Sequence, residues 1–336
     1  MNRHDPVASA ADSIRFWRRV SGHTGRCRVL GFVAYGLFLL GFLPAGWAVQ
    51  LDYVPTDYPV PSTVKEAVRR QLPRLIQSHH VLFHRRIPAD LKVQIQVVRT
   101  RQEFEAIIHA LGFTEPATLG FSHTSKIRQV SSGLFQIQEA RIYAWAQPDE
   151  AVLTSILLHE LTHALTDACV WRAPDWYMEG SAELLGAPAA GLYRLKRQTE
   201  SQRWQVLREY LQKQKLPGLR EFMRASRHDW NRLFPHRPDL GYTAAYSLFH
   251  FFMAHPAATR LLMSAVNSPE VALADNPSLG CANYLDRHSP GGLPRLEKGW
   301  HEWIQRQAET NGTPAQPTQW ASPPVPSKIK PNATKL

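Results

Sequence analysis

The 336-residue sequence predicts an α+β fold, with strand patterns in its first half and helical patterns in its second. Three observations carry this. Residues 91–98 alternate apolar and polar side chains, as a half-buried strand does. Residues 151–165 form a mostly apolar run without Pro or Gly, long enough to be a buried helix. From Gln198 onward the strand patterns give way to helical ones, the most apolar of them at 241–252.

Taken in order, residues 1–28 are polar and basic, and residues 29–49 follow as 21 positions without a charge. That length suffices to cross a bilayer. Gly46 and Ala48 also suit cleavage after Ala48, so the segment reads equally as a signal peptide or as a transmembrane anchor. The Arg-rich flank lies only on its N-terminal side, and no Lys or Arg follows until Lys65. By the positive-inside rule, everything after residue 50 is expected outside the cytoplasm, periplasmic or secreted. Residues 50–62 are punctuated by Pro and read as a linker. Residues 63–78 have helical spacing, with Pro73 expected to kink or split the helix. His79, His80 and His84 cluster without an acidic neighbour and read as surface residues. After the strand at 91–98 come a helix over 101–111 and two or three strands within 120–130 and 134–145. Helices are then predicted at 198–214 and 219–226, broken by Pro217-Gly218. From residue 310 the tail is Pro-rich with almost no apolar run and is expected to be disordered. The folded part is thus one domain over 63–309, without internal repeats.

The net charge of +11 divides unevenly: +4 falls in residues 1–28 and +3 in the tail from Thr310. The remainder is spread without a basic block, so a nucleic-acid partner is not indicated. Of three cysteines, Cys27 precedes the uncharged segment. Cys169 and Cys281 fall in the exported part, where two thiols either pair as a disulfide or stay as separate buried groups.

Chemistry concentrates in the apolar helix. Residues 159–163 read His-Glu-Leu-Thr-His, an H-E-x-x-H pattern. Positions i and i+4 share a helix face, so His159 and His163 can bind one metal ion together. Glu160 lies beside that face, placed to act on water rather than to bind the metal. A second short helical pattern, Trp-Tyr-Met-Glu-Gly-Ser-Ala-Glu at 176–183, offers Glu179 and Glu183, again four apart and on one face. Two imidazoles and one carboxylate leave a fourth position open, the arrangement of a catalytic zinc rather than a structural one.

H-E-L-T-H followed by W-Y-M-E-G-S-A-E resembles the gluzincin, or peptidase-MA-like, zinc metallopeptidases, whose pattern is H-E-x-x-H then W-x-x-E-G-x-A-E. The resemblance implies a zincin-like fold: a small N-terminal mixed sheet, an active-site helix and a helical C-terminal lobe, with a cleft between them. It implies one Zn2+ held by His159, His163 and Glu179, with Glu160 as general base and a peptide or protein as substrate. Glu183 would orient a ligand histidine from behind, although the spacing alone leaves Glu179 and Glu183 open as the direct ligand. The strand at 141–145 would form an edge of the cleft. Residues 241–252 resemble a family helix from which a Tyr faces the zinc, so Tyr242 or Tyr246 would donate to the oxyanion. Residues 293–304 resemble the family's closing L-E-x-x-W-x-x-W/Y helix, which brings the likeness to about 92–307, with specific motifs only at 159–183. Two rival readings share the motif: a zinc hydrolase of a non-peptide envelope amide, and a non-catalytic binding module tethered to the membrane. The intact Glu160 and the open coordination position argue against the binding module.

Overall fold

Alternation in the sequence builds the sheet directly. In β2 (Lys92–Val98), Val93, Ile95 and Val97 point to one buried face. β2 pairs in parallel with β4 (Phe135–Trp145), in a register that sets Ile95 opposite Ile142 and Val97 opposite Ala144. β3 (Gly120–Gln129) runs antiparallel to β4, and the four-stranded order is β1-β2-β4-β3. The computed structural model describes residues 49–83, 87–113, 119–129, 135–170, 172–186, 200–237 and 239–310. The uncharged segment apart from Val49, together with Cys27, His84 and the Pro-rich tail, lies outside the described residues.

The stretch expected to be a linker supplies β1 (Gln50–Tyr53), which pairs in parallel with β2 from Gln50 opposite Lys92 to Tyr53 opposite Ile95. Four residues are too few for an alternating pattern to stand out, and only the neighbouring strand makes them a strand. α1 (Ser62–Phe83) runs unbroken through Pro73. The lost backbone bond and ring clash cost about 3 kcal/mol. The buried stripe of Val64, Val68, Leu75, Ile76 and Phe83 gains roughly 1.5–3 kcal/mol per side chain, so packing prevails over the proline. α2 (Arg101–Ala110) begins with a capping box between Thr100 and Glu103.

α1 and α3 (Glu150–Cys169) cover one face of the sheet, while Phe104 and Ile108 of α2 cover the other with Val98 and Tyr143. α3 is capped by Asp149, whose carboxylate accepts from the Ala151 amide at 2.8 Å. It is buried on nearly every side from Leu153 to Thr166. Its flank of Leu153, Ile156, Leu157, Leu161 and Leu165 joins the sheet core, and Cys169 and Val170 join a second core.

That second core is helical: α4 (Asp175–Leu185), α5 (Glu200–Gln212), α6 (Leu219–Arg224), α7 (Trp230–Leu233), α8 (Asp239–Ala254), α9 (Pro256–Val266), α10 (Pro269–Ala272), α11 (Pro277–His288) and α12 (Gly292–Thr310). Its centre is aromatic, with Trp176 stacked on Phe252 and Phe222 stacked on Trp300. Cys169 and Cys281 both lie in this core as buried thiols, not as a disulfide. The molecule is therefore a mixed α+β fold, a small mixed sheet followed by a larger helical part. Among the described residues no helix is long and apolar enough to cross a membrane.

His79 departs from its expected surface position. It is fully buried, with Nδ1 2.7 Å from the Leu75 carbonyl and Nε2 3.1 Å from Thr166 Oγ1 of α3. On a helix that packs along α3, its turn of the stripe points inward, which the clustering of three histidines concealed. Burial, only partly offset by backbone hydrogen bonding to Leu75 and Thr162, lowers its pKa from 6.5 to about 4. Between those values the unfolded chain takes up a proton that the folded protein refuses, so stability falls as pH falls from about 6.5 and levels off below about 4. The full effect is about 3 kcal/mol. Chemical denaturation of wild type and His79→Gln across this window measures it. The variant is expected to lose that part of the slope, and equal slopes would refute the assignment.

Candidate metal centre

Two helices meet where the two cores join. On α3, His159 and His163 sit one turn apart, their rings 4.7 Å apart and nearly perpendicular. α4 lies against them and delivers Glu179. Its Oε2 is 3.2 Å from His159 Nε2 and 3.5 Å from His163 Nε2. These three ligand atoms fall within 4.8 Å of one another, and all three residues are buried. Burial by itself would push the Glu179 carboxyl up, but the attraction of His163 and His159 holds it well below the ordinary carboxylate range. An ionised carboxylate and two imidazole nitrogens facing one point are a donor set for a divalent transition-metal ion, zinc among them.

Why α4 presents this face follows from its other face. Gly180 packs so closely on α8 that an added Cβ would stand 2.5 Å from the Ala245 carbonyl oxygen and 2.8 Å from Phe249 Cβ. Trp176, one turn earlier, stacks on Phe252 of α8. With those two positions turned to α8, Glu179 and Glu183 are turned to α3. The Trp and Gly of the motif thus act through packing, and its acids through chemistry.

Glu183 lies behind His159, not among the converging atoms. Its Oε1 is 3.5 Å from His159 Nδ1, and its Oε2 accepts from Arg203 Nη2 of α5 at 2.5 Å. A carboxylate on Nδ1 favours the tautomer that leaves Nε2 with its lone pair toward the donor centre. Removing one partner of a buried ion pair of this kind costs roughly 3–5 kcal/mol. Asp167 lies one turn beyond His163 on α3. Burial raises its pKa to about 6 against the opposing pull of His163 and a hydrogen bond from Thr124 of β3. Arg227, on the loop after α6, donates to Glu179 Oε1 at 3.1 Å. Burial works against the Arg227 charge, yet Glu179, with lesser help from Tyr242 and Glu160, raises its pKa above the ordinary arginine value.

Glu160 is buried on α3 next to the histidines, outside the converging trio. The first residue of β3 fixes its surroundings. An added Cβ on Gly120 would lie 2.8 Å from Glu160 Oε1 and 2.7 Å from Ile156 Cγ2. The strand beside the motif is therefore β3, at the edge of the sheet. β4, with residues 141–145, lies between β2 and β3 in the sheet.

The two tyrosines part company. Tyr246 is buried, its hydroxyl donating to Glu200 at 3.1 Å and its ring covered by the Arg203 guanidinium at 4.9 Å. It belongs to the far side of Glu183. Tyr242 is half-buried, edge-on to Trp230 at 5.1 Å, and close enough to Arg227 to affect its charge. Gly120, Asp167, Arg203 and Arg227 are the residues that sequence reasoning passed over. Asp167 carried a usable signal, being i+4 from His163 on a buried helix. The other three lie on separate elements and carried none.

No protein-family model matches the chain, and no curated protein does. Among solved structures it is similar to a candidate zinc-binding metallo-peptidase from Bacteroides caccae, at 11% identity and a TM-score of 0.22, covering 90% of this chain and 96% of that one. A likeness at this score carries no argument, and the centre stands on its own geometry.

The contact at Gly120 is directly testable. Gly120→Ala should destabilise the protein by about 1–3 kcal/mol through overpacking, and by less in a Glu160→Ala background where part of the obstruction is gone. Denaturation of the four members of this double-mutant cycle checks it. Strict additivity would show that Gly120 does not constrain Glu160.

Proposed function

We propose that this protein is a zinc-dependent peptidase that hydrolyses peptide bonds outside the cytoplasm, in a zincin-like arrangement. The observation that carries the reading is the convergence of His159 Nε2, His163 Nε2 and Glu179 Oε2, with Glu160 on the same helix but outside that trio. A zinc ion held by these three donors would polarise the scissile carbonyl and acidify water, so that attack proceeds near neutral pH. Glu160 takes the proton of the attacking water and delivers it to the leaving amine. Glu183, held by Arg203, keeps the His159 ring oriented. Tyr242, half-buried and close enough to Arg227 to affect its charge, is the candidate oxyanion donor, whereas Tyr246 is buried with its hydroxyl donating to Glu200. An extended substrate would add along the edge strand β3, whose first residue touches Glu160.

Metal analysis of wild type and His163→Ala tests the ligand set: zinc should be present in the first and largely lost in the second, and equal content in both would end the proposal. A peptide-library digest tests the chemistry. Glu160→Gln should retain zinc and fold while losing about 10²–10⁴-fold in rate, and undiminished hydrolysis would remove Glu160 as the base. Location is tested by fusing a reporter after Gln307 that is active only outside the cytoplasm. An active reporter supports export, whereas a silent one, with a cytoplasmic reporter active at the same junction, reverses it.

A further inference from the structure

Glu179 divides its carboxylate between two neighbours. Oε2 faces His159 and His163 at 3.2 and 3.5 Å, where the donor atoms converge, whereas Oε1 accepts from Arg227 at 3.1 Å. The Glu179 side chain is 4% exposed, so water does not compete for either oxygen, while Arg227 keeps 39% exposure toward the outside. Arg227 reaches in from an anchored base. Its amide donates at 2.8 Å to Oδ2 of Asp175, in the first turn of the helix that carries Glu179. Asp229 closes the turn around it, accepting from the Ser226 amide and hydroxyl at 2.9 and 2.7 Å. The loop and α4 are thus tied at two points, one through backbone and one through the guanidinium.

We propose that Arg227 is a positioning residue that holds Oε1 of Glu179 away from the metal, so that Glu179 donates one oxygen and a coordination position stays open. This rests on the zinc reading above. A carboxylate can bind a divalent cation through one oxygen or both. A guanidinium bonded to one oxygen occupies its lone pair and places positive charge on that side, which drives the cation to the other. Three protein donors with water in an open fourth position make a catalytic site, and a second oxygen from Glu179 would crowd that position and raise the ion to five-coordinate. The same positive charge repels the ion, so Arg227 preserves the open position at the expense of affinity. Its removal should therefore leave metal binding as strong or stronger while activity falls, a split that simple loosening of the site does not produce.

The test titrates Zn2+ and Co2+ into the metal-free protein, for wild type, Arg227→Met and Arg227→Lys. Chelator competition reads zinc affinity, and the visible absorption of cobalt reads coordination number. Wild type should give the intense band of four-coordinate cobalt. Arg227→Met should give the weaker band of a five-coordinate ion and hold zinc at least as tightly. It should also lose about 10–100-fold in peptide hydrolysis, mainly in kcat. Arg227→Lys should restore the four-coordinate spectrum. A wild-type cobalt spectrum in Arg227→Met, or zinc affinity falling together with rate, overturns the proposal. Should Arg227→Met lack the wild-type circular dichroism, Arg227→Gln, which keeps an N–H donor without the charge, decides: tighter zinc with a four-coordinate spectrum supports the proposal, and unchanged affinity overturns it. Absence of zinc binding in wild type would refute the zinc reading itself, whereas a zinc-binding wild type with unresponsive variants refutes only the role of Arg227.

Discussion

The constraint on which the rest depends is the burial of ionisable groups along α3 and α4. His159, Glu160, His163, Glu179, Glu183 and Arg203 all lie in the interior. Charges removed from water are costly unless each meets a partner, and unless the partners' remaining donors and acceptors are also met. The surrounding structure supplies those partners from widely separated parts of the chain. Arg203 of α5 meets Glu183, and Arg227 from the loop after α6 meets Glu179. Thr124 of β3 reaches Asp167, and the neutral ring of His79 from α1 meets Thr166. A helix with the composition of α3 can be central only because sheet, α1, α4 and the helical lobe all close on it.

Close packing then converts these pairings into fixed positions. α4 is held by a glycine and a tryptophan against α8, which leaves it no freedom to rotate its acids away from the histidines. Gly120 does the reciprocal work on the sheet side, where the strand backbone approaches the Glu160 side chain as a wall. In both places a missing side chain sets the distance between elements, and interiors packed at crystal-like density transmit such distances with little give. The two halves of the fold contribute unequally. The sheet half carries the histidines and Glu160, and the helical half carries Glu179 and both arginines.

That division bears on how such a centre can do chemistry. Glu160 lies outside the set of converging donor atoms although it adjoins His159 in sequence. Two of the donors are in turn backed by a second group: His159 by Glu183 and Glu179 by Arg227. Side chains held in this way are pre-organised and need little rearrangement when charge nearby changes.

Much of this was legible in the sequence, and the boundary falls along a physical line. Strand alternation in 91–98, the buried helix of the H-E-x-x-H run and the pairing of Glu179 with Glu183 on one face are periodicities of a few residues, which the backbone geometry of helix and strand translates directly into faces. The strand at Gln50–Tyr53, the inward turn of His79, the continuity of α1 through Pro73 and the separation of Tyr242 from Tyr246 were not legible. Nor were Gly120, Arg203 and Arg227. Each is decided by a neighbour far away in sequence: a parallel partner strand, a hydroxyl on α3, a carboxylate on α4. Local sequence determined which residues share a face, because that depends only on spacing along one element. Tertiary structure alone decided what that face meets, because contact between distant segments leaves no periodic trace in either of them.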